Sequence, residues 1–325
     1  MEIPVFRLAS IGFNDREERQ LRATVAKDRQ VHWQPWRAER ADAWLINGAR
    51  AARIDGTLVR FIASEATSGG PAILLDVSSR PTAVATPAPA LLQQLVAHSF
   101  ELRRMETLSS CLRALESDLA PLKRMYWVAS HLVKITATVG QAVYELRAGS
   151  QVLAIADMKG TVSVSPDASE KQLEQAAWSH RARKMVDVPA AFEQHTLSEL
   201  LWTYATRTRV ELLPERYARC PLYLRRPPRV RTEVLEDIHL RIIRELASAP
   251  ARFRELADRT DTDEKSLGAA LAALYYVGSI TSNPERVWAA SQQGALWSSR
   301  ASLQDESAQP RSRLRDGQPS TTPLL

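Results

Sequence analysis

Asp42-Ala43-Trp44-Leu45-Ile46-Asn47-Gly48-Ala49-Arg50 is the stretch whose reading decides the fold. Ala43 to Ile46 is apolar without alternation, as expected of a strand covered on both faces, and it ends at the polar Asn47. Apolar and polar residues upstream repeat the theme. Val5 to Gly12 is a first strand, Asn14-Asp15 starts a helix carrying Leu21, Thr24 and Val25, and Gln30 to Trp36 is a second strand. Ala38 to Ala43 offers a helical turn before the third strand at Trp44 to Asn47. Downstream, Pro71 to Leu75 reads as a fourth strand and Ala83 to Ala85 as a fifth, followed by Thr86-Pro87. Strands alternating with helices at this pitch predict a doubly wound parallel sheet over residues 1–100.

The chain has 325 residues, enough for two or three cores, and three are expected. With 45 % hydrophobic and 25 % charged residues it has a globular composition, and no apolar run reaches the roughly 18 residues of a membrane span. Membrane insertion is therefore not expected. Glu2, Pro4 and Arg7 interrupt the first ten residues, so no signal sequence is expected, and two isolated cysteines make a reducing cytoplasm the default expectation. Cys111 and Cys220 are far apart and lack neighbouring ligands, so neither a metal nor a disulfide framework is expected. Net charge +6 and pI near 9.5 permit a polyanionic partner.

The order of the first 100 residues resembles the receiver domain of bacterial response regulators. Receivers place an acidic pair after strand one, an Asp after strand three, a Ser or Thr after strand four and a Lys before a Pro after strand five. This chain has Gly12 and Phe13, then Asn47, then Asp76, then Thr86 before Pro87. The resemblance implies a pseudo-receiver that neither holds Mg²⁺ nor accepts phosphate, because the carboxylates a hard cation needs are missing. The alternative is an unrelated α/β domain in which Asn47-Gly48 is a turn. Asp15 and Asp76 read as a helix start and a strand end rather than as a relocated metal pair.

From Leu91 through Leu95, Leu102, Met105, Leu108, Leu112 and Leu115 to Leu119, leucine-type residues recur every three, four or seven positions. This predicts a long connecting helix over 88–120, roughly 44 Å in length, whose stripe would dock a second domain or a second copy in a homodimer. Residues 121–232 read as a small α+β domain. Val143 to Leu146, Val152 to Ile155 and Thr161 to Val164 form a meander, with helices over Glu170 to Ala182 and Leu197 to Thr206. Trp127, Trp178 and Trp202 are expected in cores or interfaces.

That domain ends in Arg216, Arg219, Arg225, Arg226, Arg229 and Arg231, interrupted by Pro221, Pro227 and Pro228, with no acid after Glu215. The run is a solvated linker or a candidate anion-binding segment for a nucleic-acid backbone or a phosphorylated signal. Together with Asp76-Val77-Ser78-Ser79 it weakly resembles the two motifs of cyclic-di-GMP-binding PilZ domains, in reversed order and without the second motif's Gly.

Residues 233–297 carry three helices, lined by Ile238, Ile242 and Leu246, then Leu256, then Leu267, Leu271 and Leu274. A capping box at Asp261 and Glu264, a stop at Gly278 and a hairpin of Ile280 to Ser282 with Arg286 to Trp288 complete the pattern. The arrangement resembles a winged helix. Between Arg252 and Lys265 stand four basic residues (Arg252, Arg254, Arg259, Lys265) and five acidic ones (Glu255, Asp258, Asp261, Asp263, Glu264), which disfavours a groove-reading helix. Residues 298–325 read as a disordered tail.

The expected fold is thus multidomain α/β plus α+β. The expected function is a non-enzymatic signal-transduction adaptor acting on protein partners, without cofactor. The alternatives are a DNA-binding regulator of response-regulator type and a nucleotide second-messenger effector.

Overall fold

The computed structural model describes residues 2–27, 32–62, 72–136, 142–181 and 188–287. Five parallel strands form the first sheet: β1 (Val5–Ile11), β2 (His32–Pro35), β3 (Ala43–Asn47), β7 (Thr82–Thr86) and β8 (His98–Glu101), in the order β2-β1-β3-β7-β8. Every residue of β3 is buried, because side chains leave it alternately toward two cores. Ala43 and Leu45 join Phe6, Leu8, Phe100 and Leu112 on one face; Trp44 and Ile46 join Ala9, Val84 and Leu92 on the other. Helix α1 (Asp15–Val25) begins with a capping box between Asn14 and Glu17, so Asn14 rather than Asp15 is its cap.

Between β3 and β7 the chain forms no α-helix among the described residues, only a 3-10 turn at Gly48–Arg50. It forms an antiparallel meander, β4 (Ala51–Asp55), β5 (Leu58–Ile62) and β6 (Ala72–Asp76), which lays Val59, Phe61 and Leu75 on the parallel sheet. The expected fourth strand is therefore β6, outside the parallel sheet, and Pro71 lies outside the described residues. The expected fifth strand, β7, is in fact the fourth, so Asp76 does not end a parallel strand and Thr86 ends the fourth.

The connecting helix over 88–120 is not formed as one element. It divides into α2 (Ala90–Leu95), strand β8 and α3 (Met105–Asp118), because the sheet takes residues 98–101 as its outer strand. Leu92 covers one face of the sheet, while Leu108, Leu112, Leu115 and Leu119 cover the other. Leu108, Leu112, Leu115 and Leu119 are thus buried inside one chain, whereas Leu91 is 50 % exposed.

Helix α4 (Ala120–Thr136) starts one residue after α3 and packs Trp127, Val128 and Leu132 on a second, antiparallel sheet. Its strands are β9 (Val143–Ala148), β10 (Gln151–Asp157), β11 (Thr161–Val164), β12 (Ala177–Arg181) and β13 (Glu193–Thr196), in the order β12-β9-β10-β11-β13. The expected helix from Glu170 stops at Gln175 as α5 (Glu170–Gln175), since β12 pairs with β9; Ala182 lies outside the described residues. Helix α6 (Leu197–Arg207) packs against α4 and sends Trp202 and Ala205 into a third core.

That core belongs to α7 (Arg216–Arg219), β14 (Tyr223–Leu224), α8 (Asp237–Ser248), α9 (Phe253–Thr260), α10 (Glu264–Tyr276) and β15 (Ile280–Thr281). It includes Tyr217, Leu222 and Leu224, so the helical unit begins upstream of residue 233. Asp263 caps α10, whereas Asp261 closes α9 in the left-handed region at φ 48°. The expected hairpin after α10 is replaced. β15 pairs with β14, and 284–286 is a 3-10 turn; Trp288 and the tail at 298–325 lie outside the described residues. No helix among the described residues is long and apolar enough to cross a membrane.

Candidate functional site

The carboxyl edge of a parallel sheet is where ligands of doubly wound folds sit, and here it is filled by the chain itself. Asn47, 5 % exposed, accepts from the Ala49 amide at 3.1 Å through Oδ1 and donates to Glu17 Oε2 at 3.3 Å through Nδ2. The same Glu17 oxygen accepts from the Asn14 amide at 3.0 Å, so Asn47 is tied into the cap of α1. Gly12 takes φ +79° beside Asn47 and Arg50, while a side chain at Gly48 would meet Ala88 and lie 2.7 Å from the Ala85 carbonyl. Phe13 packs toward Phe100, ring centroids 6.5 Å apart, and the Thr86 hydroxyl donates to the Phe100 carbonyl at 3.3 Å. Pro87 follows through a cis peptide bond.

These donors do not fit Mg²⁺, which wants carboxylate and water oxygens in an octahedron. Among the described residues no group of three or more His, Cys, Asp or Glu is placed to hold a metal. Asp76 ends β6 of the antiparallel meander, outside the parallel sheet. It accepts from the Ser78 hydroxyl at 2.7 Å and the Ser78 amide at 3.1 Å, and the hydroxyl bond holds its carboxyl below the usual range. The Asp76-to-Ser79 segment is thus a self-satisfied turn.

The six arginines separate into different environments. Arg216 stacks over Tyr217 with 5.3 Å to the ring centroid, Arg219 pairs with Glu215, and Arg231 faces Glu199 at 3.7 Å. Arg225 and Arg226 lie at the end of α10, where Arg226 Nη2 donates to the Val277 carbonyl at 3.2 Å. Burial, then Arg229 and Arg225, pull the Arg226 guanidinium below its ordinary value. Arg225 and Arg226 are brought together at Gly278, Arg229 is near enough to repel the Arg226 charge, and none of the three has a carboxylate partner among the described residues.

Two further features carry no short-range signal in the sequence. An open cleft of about 460 Å³ between α3, α4 and the Pro166–Glu170 region has Lys123 at its side, neutralised by Glu116 at 2.5 Å and Glu170 at 3.3 Å. A second group joins all three cores. Asp42 accepts from the Arg7 amide and from Arg207 Nη2, each at 2.7 Å; Arg7 Nη2 meets Glu236 at 2.9 Å; and Arg40 donates to the Leu235 carbonyl. Glu236 caps α8, its amide donating to His239 Nδ1 at 3.0 Å, and the His239 ring lies 4.7 Å from that of Trp202. Asp42 opens the decisive stretch, yet its partner Arg207 is 165 residues away. No protein-family model matches the chain, and no curated protein is significantly similar to it.

Proposed function

We propose that the protein is a non-enzymatic signal-transduction adaptor that works through protein contacts, with a receiver-like first domain that accepts no phosphate. The observation that carries this reading is the commitment of Asn47 to Glu17 and Ala49. An amide in that position is a poor nucleophile, and it is already spent on holding α1 to β3. The strand order, two before one and then three, four and five, supports the receiver-like reading. Under it, Thr86 stands where receivers carry the Ser or Thr after strand four.

Surfaces for contact are available. The meander β4–β6 stands where a receiver would place a helix, and its outer face shows Leu58, Leu74, Arg53 and Arg60, with Leu74 63 % exposed. The winged-helix-like unit supports protein contact over base reading, because α10 is occupied by α6. Ala270 to Leu274 are all buried, leaving the acidic start at Asp263 and Glu264 outside. Incubation of the full chain with acetyl phosphate and Mg²⁺ tests the reading. No acid-labile phosphate is expected, and near-stoichiometric labelling would overturn it.

A further inference from the structure

The centre of the arginine run is fastened to the turn that ends α10. The amides of Arg225 and Arg226 both donate to the Ser279 carbonyl, at 2.7 and 3.3 Å. Gly278 closes the helix at φ +69°, with its own amide bonded to Tyr275 and that of Ser279 to Leu274, the bonding of a Schellman motif. Arg226 Nη2 and Arg225 Nη1 lie 3.2 and 3.6 Å from the position a Cβ of Gly278 would occupy. The two guanidinium groups therefore converge on one spot beside a residue that has no side chain.

More charge is gathered here than a helix end requires. One cation satisfies the carbonyls at a helix C-terminus, and Arg226 already does so. Arg225 and Arg229 add two exposed positive charges with no acid beside them among the described residues, although Arg219 and Arg231 nearby in sequence both have one. The Arg226 Nε–H and the hydroxyl of the fully buried Ser279 lack a partner among the described residues, but both are closed off from solvent and so do not point to a ligand. Pro227 and Pro228 fix φ between Arg226 and Arg229, which limits how far the like charges can separate. Exposed cations held together without a carboxylate partner are set to receive an anion.

We propose that Arg225, Arg226 and Arg229 form a binding site for a small ligand that carries a diphosphate group, seated against the Gly278 turn. Three guanidinium groups match the several negative charges of a diphosphate better than the single charge of a carboxylate, and their forks suit its paired oxygens. A duplex backbone calls for a longer track of free cations, whereas the flanking Arg219 and Arg231 are engaged with acids.

The test is calorimetric titration of the full chain with sodium pyrophosphate and with inorganic phosphate, beside anisotropy of a short labelled DNA duplex in the same buffer. Pyrophosphate is expected to bind, with inorganic phosphate weaker. Arg225→Ala and Arg229→Ala should each weaken pyrophosphate by about tenfold or more, while Arg219→Ala should not. Both exposed positions tolerate truncation, which an unchanged Tm verifies. No pyrophosphate binding, or binding indifferent to both variants, overturns the site. Tighter binding of the duplex than of pyrophosphate, lost in the same variants, overturns the small-ligand assignment in favour of a polynucleotide. Acetyl-phosphate labelling reports on Asn47 alone, so the two proposals fail separately.

Discussion

At Asn47 the difference between an amide and a carboxylate decides what the sheet edge can do. Asn47→Asp would place a second carboxylate against Glu17 Oε2, now 3.3 Å from Nδ2, at a buried position. Two carboxylates so close cannot both stay ionised without cost. The variant is expected to lose about 1–3 kcal/mol at neutral pH, recovering part of it on acidification, as read by urea unfolding. Equal stability at neutral pH would remove the Asn47–Glu17 bond from the account. The end of the strand at Asn47 was legible because four apolar residues precede it without a break. Its partner was not, since Glu17 lies on another element, 30 residues away. The arginines were legible as residues, but which three converge depends on where α10 ends.

The leucine stripe from Leu91 to Leu119 shows why spacing alone misread an element. No Pro or Gly interrupts residues 90–119, and the three-and-four rhythm skips only from Leu95 to Leu102, the gap that β8 occupies. Yet α2 and α3 cover opposite faces of the sheet, so the continuity of the rhythm is accidental. The sheet's demand for an outer strand claimed His98 to Glu101, where the stripe has no leucine. Leu112 is 1 % exposed within this chain's own core. Leu112→Ala should therefore cost about 2–5 kcal/mol, by the same amount at low and high protein concentration in thermal unfolding. A Tm that rises with concentration in the wild type and loses that dependence in the variant would restore the intermolecular seam. The C-terminal helices were read correctly at Gly278, whereas the hairpin was misplaced because β15 takes its partner from before the helices.

The whole molecule is held at the junction where Arg7, Asp42, Arg207 and Glu236 meet, and His239 makes that junction sensitive to acid. Burial first, then Arg7 and Arg40, push its ring from the ordinary 6.5 down to about 4. Glu236 and Trp202 complete its surroundings. Between these values the unfolded chain binds a proton that the native chain refuses. Stability contributed above pH 6.5 is thus lost progressively as pH falls toward 4, to a total of about 3 kcal/mol. His239→Gln should flatten the dependence of urea midpoints over that window, and an unchanged slope would exclude His239 as its source. Because β14 joins β15, the helical unit is entered and left through one two-stranded seam. A cassette beginning at residue 233 would be born with an open edge and without its arginines, while one beginning before Arg216 would carry both. A cut before Arg216 therefore keeps the seam and its cations on one piece.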